Sequence, residues 1–337
     1  MSDFPYRIDV HHHFLPAPYM AVLHEQGVTT AGGNTIPEWS PDISLGLMER
    51  MGVATAILSI TEPGLNPFSN TQQARSIARA CNEYAAELLV KHPGRFGAFA
   101  ILPLPDMEAA LDEVQYALDT LHLDGVSLLS NYNGRYPGDP FFDELFTELN
   151  RRKAVIHVHP SVPPPGATRP QFNLSPSLLE FVFDTTRTAA NLIFSATLER
   201  CPDLRIILSH GGGTLPYIQW RLASVNLSFP TGKGKQQTSA PEPDPAFERM
   251  RTFSLSIAEY IQQFYYDTTM SPTAASLCSL QKVTPLSHIL FGSDNGFAPE
   301  RYGQAMKQEL EMYDGFDMQA RRAVEHENAL ALFPRLR

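Results

Sequence analysis

The sequence predicts an α/β fold: a (β/α)8 barrel of the TIM type, with a small insertion after the first strand. Three observations carry this. Strand-like and helix-like segments alternate from end to end, and eight are strand-like. Runs such as Arg205-Ile206-Ile207-Leu208-Ser209-His210 are apolar up to a polar tip, as parallel strands buried on both faces are. No glycine-rich phosphate loop follows the first strand, as an open doubly wound sheet would normally require.

The elements follow in order. Residues 7–12 read as the first strand. Leu45–Met51 reads as helix and Ala54–Ile60 as the second strand. Asn70–His92 is a long helix with apolar residues at helical spacing, ended by Pro93-Gly94. Phe96–Leu102 is strand, and Asp106–Leu121 is helix with Asp106 as its N-cap. Gly125–Leu129 is strand, Phe141–Arg152 helix, and Ala154–His159 the fifth strand. Ser177–Cys201 holds one or two helices, Leu204–His210 is strand, and Leu215–Leu227 is helix. Phe264–Thr268 is strand, with a helix through Leu280. Ile289–Asp294 is the last strand, followed by helices at 301–313 and 317–333. Residues 16–42 are too long for an ordinary loop and read as an insertion near the barrel mouth; residues 228–245 read as flexible and exposed.

Composition narrows the function classes. The chain has 337 residues, 43% of them hydrophobic, which is ample for one large domain. A net charge of -10, with no stripe of Lys and Arg, makes nucleic acid and anionic membrane poor partners. No stretch reaches the roughly 18 apolar residues of a membrane span, and no apolar signal region opens the chain. Cys81, Cys201 and Cys278 are scattered and odd in number, as reduced thiols of a cytoplasmic protein would be.

The chemistry is concentrated at strand tips, where barrel enzymes place their reactive groups. In Arg7-Ile8-Asp9-Val10-His11-His12-His13, a strand puts His11 and His13 on one face and His12 on the other. Two imidazoles so placed can meet on one divalent ion. The small number of His and the strand-like surroundings speak against a purification tag. The fifth strand ends His157-Val158-His159-Pro160, the sixth Ser209-His210-Gly211-Gly212-Gly213, and the eighth Gly292-Ser293-Asp294-Asn295. A single His on an apolar strand is usually a core residue; three His-bearing tips and an Asp tip can converge on one metal.

These motifs, in this order and with the closing Glu327-Asn328-Ala329-Leu330-Ala331-Leu332-Phe333, resemble the amidohydrolase superfamily, most closely its aminocarboxymuconate-semialdehyde decarboxylase type. The resemblance covers nearly the whole chain. It implies one divalent metal on His11, His13, His159 and Asp294, with His210 over the open coordination position. Asp9 is a reserve ligand; its other role would be to cap or orient the strand. His157 is expected to pack or hydrogen-bond. No candidate strand tip carries the Lys of two-metal relatives. Zn suits three His and one Asp first, with Mn as the alternative.

Arg221, eleven residues after His210, resembles an Arg that reaches a substrate carboxylate in the neighbouring subunit of a homodimer; otherwise it is a surface Arg. Phe297 resembles an aromatic packed on the substrate ring, its other reading being an apolar loop anchor, and Trp39 is a further pocket candidate. The resemblance implies non-oxidative decarboxylation of a small aromatic acid, an ortho-hydroxybenzoate such as 6-methylsalicylate or γ-resorcylate. Asp294, or else His210, would bring the proton to the ring carbon. The other readings are a hydrolase opening a lactone or amide with metal-bound hydroxide, and a non-catalytic metal-binding barrel.

Overall fold

The computed structural model describes residues 6–68, 70–164, 174–228 and 248–336. Eight parallel strands lie side by side in chain order: β1 (Arg7–His13), β2 (Val53–Ser59), β3 (Phe96–Ile101), β4 (Gly125–Leu129), β5 (Val155–His159), β6 (Arg205–Leu208), β7 (Tyr265–Asp267) and β8 (Ile289–Leu290). Beyond Leu290 the chain runs on against β1. Val10 N–H donates to Phe291 O, Asp294 N–H to His11 O, and His13 N–H to Asn295 O. These bonds close the sheet into a barrel with helices in the crossovers.

Two apolar layers follow from the alternation of strand side chains. Ala56, Leu58, Ala98, Ala100, Ile156 and Leu208 face outward into the shell of helices. Ile8, Val10, Ile57, Phe99, Val155, Ile207 and Leu290 fill the interior, joined by Ala329, Leu332 and Phe333 from the C-terminal segment. With its lower half packed in this way, the barrel keeps its polar tips at one end.

β1 departs from strict alternation. Ile8 and Val10 point inward, so a regular strand would send His12 in and His11 and His13 out. The register against β2 shifts between Asp9 and His12. That irregularity turns His11 and His13 inward. His12 instead bonds Asp9 Oδ2 through Nδ1 (3.1 Å) and Ser44 Oγ through Nε2 (2.9 Å), on the helix Pro41–Met51 outside the barrel.

Other elements follow local chemistry. Asn70 caps Thr71–Lys91 by accepting from Gln72 and Gln73 N–H, and Asp106 caps Met107–Gln115. The helix after the insertion begins at Pro41 rather than Leu45, because Ser40 is its N-cap and Pro41 suits its first turn. Residues 16–42 hold a helix, Ala17–Glu25, and a two-stranded hairpin, Thr30–Ala31 with Asn34–Thr35. The sequence reading leaves out the helix Ile257–Gln263, which a Ser256–Glu259 capping box fixes. Residues 229–245 of the segment expected to be flexible lie outside the described residues.

Candidate metal centre

His11, His13 and His159 are fully or almost fully buried, and each ring is oriented by what its Nδ1 touches. His11 Nδ1 lies 2.8 Å from Asp267 Oδ2, and His159 Nδ1 lies 2.7 Å from Pro160 O and 2.6 Å from Thr61 Oγ1. His13 Nδ1 faces Ser59 Oγ at 3.1 Å and Ser59 O at 3.4 Å. Carboxylate and carbonyl oxygens only accept, so these partners place a proton on Nδ1 and leave Nε2 with a free lone pair.

Those lone pairs crowd together. His11 Nε2 and His13 Nε2 are 3.0 Å apart, and Asp294 Oδ1 lies 3.2 Å from the first and 3.0 Å from the second. Donor atoms of His11, His159, His210 and Asp294 all lie within 4.8 Å of one another. Acceptors packed this closely call for a cation at their centre. A proton on His11 Nε2 can meet the same need in the ion-free chain. Burial lowers the pKa of His11, but Asp267 and Asp294 outweigh it and lift it to about 10. Burial opposes ionisation of Asp294, yet the rings of His11 and His13 hold it well below the usual carboxylate range. Burial and the neighbouring His11 drop His210 to about 4. Three imidazole nitrogens and one carboxylate oxygen are the donor chemistry of a Zn or Mn site, so these residues fit a divalent ion.

Asp267, at the tip of β7, is the residue that sequence reasoning missed. Its Oδ2 holds His11, and its Oδ1 accepts from His210 N–H (2.9 Å) and Thr269 N–H (3.0 Å). A carboxylate behind a ligating His fixes the tautomer and raises ring basicity. The available signal was an acidic residue ending a short apolar strand, Tyr265-Tyr266-Asp267. His157 sits one layer deeper, stacked on Phe99 at 5.3 Å, with Nε2 3.1 Å from Ser209 Oγ.

His210 and Asp294 have φ of 55° and 58°, a left-handed backbone unusual for side chains with a Cβ. Both strands therefore break sharply at their tips and turn these residues over the barrel mouth. Gly211, Gly212 and Gly213 continue the first turn at positive φ. A Cβ on Gly213 would lie 2.1 Å from Val182 O.

Above the donors opens a cavity of about 450 Å³. His13, His159, His210 and Asp294 line its floor, and Phe181, Leu178, Met270 and Phe297 its apolar walls. The hairpin of the insertion contributes Ala31, Asn34 and Thr35 at the mouth. Phe297 meets His13 edge to face at 5.6 Å.

Three expected residues lie elsewhere. Asp9 is not placed as a ligand: Oδ1 accepts from His11 N–H and Ser293 N–H, and Oδ2 from Ser293 Oγ–H with His12 Nδ1 beside it. Its lone pairs are spent joining β1 to the end of β8. Trp39 does not line the cavity; its Nε1–H donates to Ser44 Oγ, and its ring packs on Phe14 and Tyr84. Arg221 is exposed on the helix Leu215–Ala223 and does not line the cavity of its own chain.

A closed parallel barrel with His and Asp donors gathered at its mouth defines a metal-dependent hydrolase-type enzyme scaffold. The amidohydrolase family matches residues 8–335, and the chain belongs to that family. It is 36% identical to the 6-methylsalicylic acid decarboxylase of Aspergillus aculeatus, over 98% of this chain and 97% of that one. It is 34% identical to the 6-methylsalicylic acid decarboxylase of Penicillium expansum, over 98% and 97%. A dihydroxybenzoic acid decarboxylase from Polaromonas, solved with manganese and 2-nitroresorcinol, shares the fold with a TM-score of 0.80. Its identity is 22%, over 99% of this chain and 98% of that one.

Proposed function

We propose that this chain is a metal-dependent, non-oxidative decarboxylase of small aromatic carboxylic acids, acting on an ortho-hydroxybenzoate such as 6-methylsalicylate or γ-resorcylate. The observation that carries the reading is the convergence of His11 Nε2, His13 Nε2, a ring nitrogen of His159 and Asp294 Oδ1 at the base of an aromatic-walled cavity. Relatives that span nearly the whole chain are decarboxylases of such acids. His11, His13, His159 and Asp294 would hold one ion, Zn first and Mn as the alternative. Bound there, a divalent ion supplies Lewis acidity towards a carboxylate and an adjacent hydroxyl oxygen.

The protein's own groups do the rest. The cavity is of ligand size, and Phe181 and Phe297 offer faces and edges to a ring. Asp294 Oδ1 is engaged by His11 and His13; among the described residues Oδ2 makes no hydrogen bond. Asp294, ionised at rest, would take up a proton from solvent on that free oxygen during turnover, pass it to the ring carbon bearing the carboxylate and return to its ionised form. The carbon–carboxylate bond then breaks, its electron pair restores the aromatic ring, and carbon dioxide leaves. His210, which lines the same cavity, is the other group placed to bring the proton.

A homodimer completes the reading. The helix Leu215–Ala223 exposes Tyr217 at 90% and Trp220 at 69% beside Arg221, an aromatic and cationic face of the kind enriched at interfaces. Arg221 would enter the partner's cavity and engage the substrate carboxylate. Three free cysteines and the lack, among the described residues, of a helix able to cross a membrane accord with a cytoplasmic enzyme. The test is a panel of hydroxybenzoates incubated with enzyme of measured metal content. Carbon dioxide released in step with acid consumed supports the reading. Hydrolysis of a lactone or amide with no carbon dioxide overturns it.

A further inference from the structure

Outside the donor cluster, the cavity wall carries one more carboxyl group among the described residues, that of Glu62, and nothing above uses it. Glu62 follows β2 in the turn Thr61-Glu62-Pro63-Gly64 and is 7% exposed. Thr61, its neighbour, bonds the ring of His159, so the turn is tied directly to the site floor. Tyr19 O–H donates to Gly64 O at 2.9 Å and pins the far end. Ser161 O–H and Val162 N–H donate to the carboxyl group. Ser161 is fixed in turn, since its N–H donates to Ser130 Oγ and Ser130 donates to the buried Asp184.

A buried carboxyl with no cationic partner is costly, and no Lys or Arg among the described residues pairs with Glu62. Two protein donors do not exhaust its lone pairs, and it faces the cavity. A group held this firmly against apolar walls rewards a ligand that donates to it and penalises one that leaves it unpaired.

We propose that Glu62 is a specificity-determining residue: its carboxyl accepts a hydrogen bond from a ring hydroxyl other than the one beside the reacting carboxylate. This rests on the aromatic-acid reading of the site. The enzyme therefore distinguishes a second hydroxyl from a methyl group at one ring position. Burial pushes Glu62 up to about 7, against the hydrogen bonds from Ser161 and Val162, and a hydroxyl donor would favour its ionised form.

The test uses the metal-loaded enzyme and matched pairs of 2-hydroxybenzoates, each pair carrying a second hydroxyl or a methyl at the same ring position. Binding is measured by calorimetry and turnover by carbon dioxide release, for wild type, Glu62→Gln and Glu62→Leu. Gln can still accept from Ser161 and Val162, so a merely structural role survives in it. At one ring position, Glu62→Gln should weaken binding of the hydroxyl member at least about tenfold and leave the methyl member within about twofold. Glu62→Leu should shift that pair further towards methyl. Equal effects on both members at every position, in whichever variant folds, would overturn the proposal, as would failure of every pair to bind wild type. Binding without carbon dioxide release from any member would overturn the decarboxylase reading and leave the Glu62 result standing.

Discussion

His11 shows how one side chain collects the site's constraints: Asp267 orients it, Asp294 and His13 crowd it, and a shift of register turns it inward. His11→Ala or His159→Ala should lose most bound metal and all turnover while the barrel stays folded, checked by elemental analysis and circular dichroism. Near-full metal content would remove that residue from the ligand set. Asp267→Asn should weaken metal binding about 10- to 100-fold, the usual loss when the group behind a ligand is changed. Asp294→Asn should cost at least about a hundredfold in turnover and more than His157→Ala, because Asp294 lines the cavity and His157 lies beneath it. Glu62 gives a stability prediction. Its folded pKa, about 7, lies above the ordinary 4.5, so the folded chain binds this proton more tightly than the unfolded one. That contribution is full below the ordinary value and is lost as pH rises through 7. Glu62→Gln should therefore flatten the fall in unfolding free energy between about pH 4.5 and 7, on the order of 3 kcal/mol. That the histidines and Asp294 would gather at one end of the barrel was legible, because polar residues at the tips of apolar strands are rare. Asp267 and the packing of Trp39 were not, and for Asp9 the sequence left open a ligand and a strand-orienting role, of which the structure shows the second. Whether an acid ligates, orients a ligand or joins two strands depends on which atoms from distant segments meet it.

At the scale of elements, the tips of β6 and β8 matter most. The turn His210–Gly213 runs through four consecutive positive φ values, and Val182 O occupies the space of a Gly213 side chain. Gly213→Ala should destabilise the fold by more than about 2 kcal/mol, through the left-handed backbone and the clash together. A thermal midpoint within a degree of wild type would show that the loop relaxes freely. Strand order and most helices were readable, since alternation and apolar periodicity are local properties. Apolar periodicity and Pro93-Gly94 marked Thr71–Lys91 closely, and the Asp106 cap marked the start of Met107–Gln115. The helix Ile257–Gln263 escaped because seven residues give too few turns for a periodic signal. The irregularity in β1 escaped for a different reason: spacing tells which histidines share a face, but not which face is inside.

For the whole molecule, the account requires a barrel whose cavity is finished by a second subunit. Arg221→Ala should raise the substrate concentration for half-saturation with metal content unchanged, and Arg221→Lys should recover only part of the loss. At a substrate concentration far below the half-saturation value of Arg221→Ala, Arg221→Ala and Asp294→Asn chains are each nearly inactive alone, and mixing them should restore activity, since one site of a mixed dimer has both residues intact. No recovery in verified mixed dimers would leave Arg221 as a surface residue. The central claim, that the donors His11, His13, His159 and Asp294 serve replacement of a ring carboxylate by a proton, has a direct measurement. The metal-loaded enzyme is run on an ortho-hydroxybenzoate in deuterium oxide, and product and gas are analysed together. The account predicts one carbon dioxide per acid and one deuterium on the carbon that bore the carboxylate, both abolished by a chelator and restored by a divalent ion. Turnover that persists fully without any divalent ion, or product formed with no carbon dioxide, would contradict it.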